Sequence, residues 1–223
     1  MLFDLRSRGR RRTVQAIYLF LAILLGGGLI LFGVGTGSGG GGLFGAFLGN
    51  GSGNSQSSVV SSQVKTAQRQ TQQNPSSAAA WSALLSAQVQ SARDASPGSA
   101  SSPPTWSAAG LKDLAAAAQA WERYLSLTKS PDPGIATLAA RGYQALGQYA
   151  NAARAWQVVT SADPTEAEAF VCVAANSYAA KQTRVGELAT TKALSLAPKA
   201  DRAQLKSDIT SAQTQPSVVP SIC

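Results

Sequence analysis

Few residues in this 223-residue chain could do chemistry. There is no histidine, and sulfur is limited to one methionine and two cysteines, Cys172 and Cys223. Without imidazole there is no ordinary base near neutral pH and no Cys/His zinc site. The carboxylates do not make up the deficit. Glu166 and Glu168 stand two apart, so on a helix they point to different faces, and the helix dipole accounts for their place in a first turn. Asp132 and Asp163 each adjoin a proline, with no second carboxylate in a facing position of the pattern. Gly35, Gly37 and Gly40 spell the dinucleotide fingerprint G-x-G-x-x-G, but no strand pattern precedes them and no helix pattern directly follows. Asn50-Gly51-Ser52 is a formal glycosylation sequon. The residues therefore lead to no expected catalytic group, cofactor, metal or small-molecule substrate.

Charge excludes another class. The net charge is +8, of which five arginines (Arg6, Arg8, Arg10, Arg11 and Arg12) less Asp4 supply +4 within the first 34 residues. The remaining 14 basic and 10 acidic residues are spread thinly and mixed in sign. A nucleic-acid surface needs a concentrated basic face, so no nucleic-acid partner is expected.

The elements that would position a site begin with that arginine cluster. Residues 1–13 form a basic segment, followed by the apolar run Val14 to Val34, whose 21 residues would extend about 31 Å as a helix. The run predicts a single transmembrane helix at 14–34 in a lipid bilayer. It is longer than a signal peptide's apolar region, no small-x-small cleavage site follows cleanly, and no cysteine stands after it to take a lipid. Arginines before the run and no charge after it until Lys65 place the N-terminus in the cytoplasm and the remainder outside. Gly33, Gly35 and Gly37 sit at small-xxx-small spacing with Gly37 and Gly39, a pattern for close approach of another membrane helix, although glycine is common in such helices anyway. Residues 35–55 read as a Gly/Ser-rich linker with an apolar island at 43–48 (Leu43, Phe44, Ala46, Phe47 and Leu48) suited to the membrane interface.

Beyond residue 55 the pattern is helical throughout. Residues 56–73, with Val59, Val60, Val64 and Ala67 as a thin apolar stripe, predict a packing helix that ends at Asn74-Pro75. Residues 74–213 predict paired helices. Trp81, Leu84 and Leu85 begin a first unit, which a Ser/Pro/Gly loop at about 95–110 splits before Leu111, Leu114, Trp121 and Tyr124 resume it. Trp106 in that loop is expected to fold back as a cap. A second unit runs from Ala136 to Pro164, with Ala139, Ala140 and Tyr143, then Gly147, then Tyr149, Ala152, Ala153, Trp156 and Val159. A third follows from a capping box expected at Thr165 and Glu168, with Leu188 among the apolar residues of its second helix. Lys199 to Gln213 predicts a closing helix with Ala203, Leu205 and Ile209 inward and Asp208 outward, and residues 214–223 are a proline-bearing tail. Cys172 lies among apolar neighbours and is expected as a buried thiol, with a bridge to Cys223 left open.

Pro164 and Pro198 stand 34 residues apart, and the second unit carries Tyr143, Gly147, Tyr149, Ala152, Trp156 and Pro164 at matching spacings. This resembles the tetratricopeptide repeat. The third unit departs from that pattern: Ser177, Lys181, Thr183 and Gly186 stand where Tyr, Gly, Tyr and Ala are usual. The layout of arginine cluster, glycine-bearing anchor and repeats is similar to membrane-anchored repeat proteins of high-GC bacteria. The expected fold is all-α, one N-terminal transmembrane helix followed by an α-solenoid of about three helix-turn-helix units and a capping helix. The resemblance implies a protein-binding scaffold rather than an enzyme. Its groove would be lined by Ser82, Ser86 and Val89, by Thr137, Arg141 and Gln144, and by Glu168, Val171, Ala175 and Tyr178. The implied partner is another protein at the extracytoplasmic face, in the membrane or envelope; in the alternative, the glycine-bearing anchor makes the contact.

Overall fold

The computed structural model describes residues 55–101 and 104–223. Nine α-helices occur among them: α1 (Ser55–Gln73), α2 (Ala78–Asp94), α3 (Ala108–Leu127), α4 (Pro133–Ala145), α5 (Tyr149–Ala162), α6 (Ala167–Ala179), α7 (Thr183–Leu196), α8 (Arg202–Thr214) and the single turn α9 (Val219–Ile222). No strand occurs among the described residues.

The membrane-spanning part of the expected fold needs correction. Among the described residues no helix is long and apolar enough to cross a membrane, so what is established is an all-α helical repeat. The basic segment 1–13, the expected span 14–34 with Gly33, Gly35 and Gly37, and the linker up to Asn54 lie outside the described residues.

Each helix begins and ends for a local reason. Ser77 caps α2 by accepting the Ala80 amide, Ser107 caps α3 by accepting that of Gly110, and Asp132 caps α4 by accepting that of Ile135 ahead of Pro133. The capping box expected at α6 does not form. The Thr165 hydroxyl donates instead to Asp163 Oδ1 at 2.6 Å, and α6 starts after Glu166 with no side-chain cap. Those bonds from Thr165 hold the pKa of Asp163 below the usual carboxylate value.

Helices pair as α2/α3, α4/α5 and α6/α7, and successive pairs stack through α2 and α3 on α4 and through α5 on α6. The starts of α4 and α6, Pro133 and Ala167, differ by 34, as do those of α5 and α7, Tyr149 and Thr183. The turns match as well. Gly147 and Lys181 both have positive φ, 68° and 60°. After each, the amide of the following residue returns to a carbonyl five back, Gln148 to Tyr143 and Gln182 to Ser177, both at 2.8 Å. This is the glycine-type helix ending, and the third unit holds it with a lysine, whose Cβ crowds its own carbonyl there. Lys181→Gly is expected to raise stability by about 0.5–1 kcal/mol and Gly147→Ala to lower it by about 1 kcal/mol. Denaturant midpoints of the two variants measure this, and equal shifts of the same sign would refute it.

The core is largely alanine, and the large anchors within it are Leu85, Leu114, Trp121, Tyr124, Tyr143 and Trp156. Small residues let helices approach closely. At Gly110 a Cβ would collide with Ser96 Oγ and the Ala92 carbonyl, so this glycine sets the distance between α2 and α3. The loop joining them is shorter than expected: α3 starts at Ala108, Pro97–Ala100 forms a 3-10 turn, and the buried Ser96 hydroxyl accepts the Ser107 amide at 3.1 Å. Trp106 is half-buried and packs against the core. Three apolar placements differ from expectation, the first being Val59 of α1, which is 43% exposed. Leu188 is 66% exposed on the outer side of α7, and Ala203 is exposed on α8. In both helices Ala189, Ala193, Ile209 and Ala212 already supply the buried stripe, and the others fall outside it.

Tyr143 links α4 to α3, its hydroxyl donating to Glu122 Oε1 at 2.6 Å. Burial first, then the hydrogen bond and the charge of Glu122, push its pKa well above the ordinary tyrosine value. The folded chain therefore keeps a proton that the unfolded chain releases near pH 10, so this contribution is complete below that pH and declines as pH rises toward the folded pKa. Melting temperatures from pH 8 to 11.5 should fall less steeply in Tyr143→Phe than in the wild type. Identical slopes would remove Tyr143 from the alkaline response.

Candidate functional site

The C-terminal tail lies against the first helices α4 and α6. Residues 216–218 make a 3-10 turn that packs on α6 and α8, and α9 packs on α6 and α4. Val219 is fully buried in a small cluster with Ala175 and Ala212, and Ile222 and Cys223 pack against it. Arg141 Nε donates to the Cys223 carbonyl at 3.0 Å. Cys223 is disulfide-bonded to Cys172 on α6, with the two Cα atoms 5.6 Å apart. The buried free thiol expected for Cys172 is thus corrected. Cys172 is followed by 51 residues of chain that pass through α7 and α8 before doubling back to it.

The tail divides the concave side into two clefts. The larger, about 560 Å³, is lined by Pro133, Thr137 and Arg141 of α4, by Glu168 and Val171 of α6, and by Trp156, Leu205, Asp208 and Ile222. The smaller, about 160 Å³, is bounded by Val89, Arg93, Trp106, Gln144, Arg141 and Pro220. Cys223 borders both.

Of the groove residues expected from sequence, Thr137, Arg141, Glu168 and Val171 line the larger cleft, and Val89, Arg141 and Gln144 the smaller. Ala175 lies on the floor but is covered by the tail. Ser82 and Ser86 line neither cleft, and their hydroxyls donate to carbonyls of their own helix, Ala79 and Ser82, at 3.0 Å each. Tyr178 is misplaced by the helical phase. Its ring lies where a Cβ on Gly186 would come within 2.9 Å, so Tyr178 fills the contact with α7 that the glycine opens. Asp208, expected outward, instead lines the larger cleft from α8. Trp156, Leu205, Ile222 and Cys223 were not foreseen as groove residues, and only the proline-bearing tail and the second cysteine could have drawn attention to the last two.

Two donors in this region lack acceptors. Gln144 Nε2 and Trp156 Nε1 are buried without a hydrogen-bond partner, and each belongs to a residue that lines a cleft. A buried donor left unpaired costs about 1–3 kcal/mol. Chemically the two clefts offer apolar walls, the guanidinium groups of Arg93 and Arg141, and the carboxylates of Glu166, Glu168 and Asp208. Among the described residues no group of three or more His, Cys, Asp or Glu is gathered as a metal site. No protein-family model, no curated protein and no solved structure matches this chain.

Proposed function

We propose that residues 56–223 are a tetratricopeptide-like scaffold that binds another protein through the concave side of α4 and α6, without catalysing a reaction. The observation that carries this reading is that the concave side already seats a peptide segment, residues 216–223, through two apolar anchors and a bond from Arg141 to a backbone carbonyl. The 34-residue spacing of paired helices and the matched turns support the repeat type.

The same proposal places the scaffold at the extracytoplasmic face of a membrane. Support comes from the arginine cluster ahead of an uncharged apolar run, and from the Cys172–Cys223 bridge, which persists in oxidising compartments. The partner is then a membrane or envelope protein.

A photo-crosslinking residue placed at Thr137 or Glu168 in the full chain, in its own cells, is expected to give an adduct with a second protein. The same residue at Leu188, 66% exposed on the outer side, is expected to give none. Absence of adducts from the concave positions, or the same adducts from Leu188, would overturn the reading.

A further inference from the structure

We infer that residues 215–223 are an intramolecular occupant of the concave groove, and that the Cys172–Cys223 bridge controls whether a partner's short apolar, proline-bearing segment can replace them. The inference rests on the reading of the groove as a protein-binding site and adds its ligand class and its control.

The tail has no means of ordering itself. A three-residue 3-10 turn and a four-residue helical turn are far below the length at which a helix holds in water, so the groove supplies their order. The seat is of the kind a peptide ligand uses. Val219 is fully buried against Ala175 and Ala212, Ile222 is packed beside it, Pro216 and Pro220 restrict the backbone, and Arg141 holds the Cys223 carbonyl. Alanines on the groove floor keep it open enough for a backbone to lie close.

The seat is also incompletely filled. Clefts of about 560 and 160 Å³ remain on its two sides, and Gln144 Nε2 and Trp156 Nε1 find no acceptor. A longer segment with the same apolar anchors would fill the clefts. The tail is therefore a partial match to the groove, held in place by a covalent bond.

That bond is approachable from one side. Cys172 is 5% exposed, whereas Cys223 is half-buried. The thiolate of a dithiol reductant attacks Cys223 Sγ, forming a mixed disulfide, and Cys172 leaves as a thiolate that takes up a proton. The second thiol of the reductant then displaces Cys223, giving two protein thiols and one oxidised dithiol. Two electrons pass from the dithiol to the bridge. Once open, the tail competes only as a tethered ligand, at an effective concentration on the order of millimolar.

The test uses the full chain and a fluorescein-labelled peptide of residues 214–223 carrying Cys223→Ser. Anisotropy titrations are expected to show at least tenfold tighter binding to the Val219→Asp/Cys223→Ser chain than to the oxidised wild type. Arg141→Ala in that variant is expected to weaken binding about tenfold, and the peptide with Val219→Asp is expected not to bind. Hydrogen exchange on the wild type, which needs no variant to fold, should show amides 217–219 and 221–223 losing at least tenfold protection on dithiothreitol treatment while α4 and α6 keep theirs. Equal peptide binding to the oxidised chain, no binding to a variant with unchanged circular dichroism, or unchanged tail protection after reduction would each overturn the inference. If it fails while Thr137 and Glu168 still crosslink to a partner, the scaffold reading survives and only the role of the tail falls.

Discussion

Reduction of the Cys172–Cys223 bridge, or Cys223→Ser, is expected to lower the stability of the helical domain by about 2–4 kcal/mol. The bridge closes a loop with a sequence separation of 51, and in the chain-entropy treatment a loop of that size restricts the unfolded chain by about 4 kcal/mol. For a domain of this size that corresponds to a fall in melting temperature of roughly 5–15 °C. The loop contains α7, α8 and the tail, so the bridge ties the last part of the repeat back to α6. Without it, the burial of Val219 and the Arg141 bond must hold the tail alone. Calorimetry with and without dithiothreitol measures the effect. Cys172→Ala, Cys223→Ser and the double variant should give nearly equal losses, since each removes the same bond. A melting temperature indifferent to reductant would show that the bridge contributes nothing to the fold.

Trp121→Ala is expected to cost about 3–5 kcal/mol. Trp121 is 2% exposed on α3, with its ring 5.5 Å from that of Tyr124. The core cluster to which it belongs is rich in alanine, which has no spare length with which to fill the space left by an indole. Urea unfolding should therefore show a lower midpoint with an unchanged slope. Leu188→Ala is the control: 66% exposed, it should shift stability by no more than about 0.5 kcal/mol. Comparable losses in the two variants would contradict the placement of the core.

Much of the helical architecture is legible along the chain, because its causes lie within a few residues of one another. Apolar recurrence at helical spacing locates α2 through α8, and the 34-residue interval follows from Pro164 and Pro198, whereas the caps at Ser77, Ser107 and Asp132 emerge only in the structure. Lys181 is instructive. Its side chain breaks the glycine pattern, yet the chain adopts the same left-handed turn, because packing of α6 on α7 outweighs the local cost. Tyr178 and Leu188 show the reverse, where helical phase names a face but the neighbouring helix decides what that face meets.

By itself, the sequence determined the helices, their breaks and their repeat, and it removed histidine chemistry from consideration. Only the tertiary structure decided where residues 215–223 lie, that Cys172 meets Cys223, and that Trp156 borders a cleft beside Arg141. The reason is the range of the forces involved. Caps and periodicity act over one or two turns, whereas the meeting of two residues separated by 51 positions depends on how three stacked helix pairs curve.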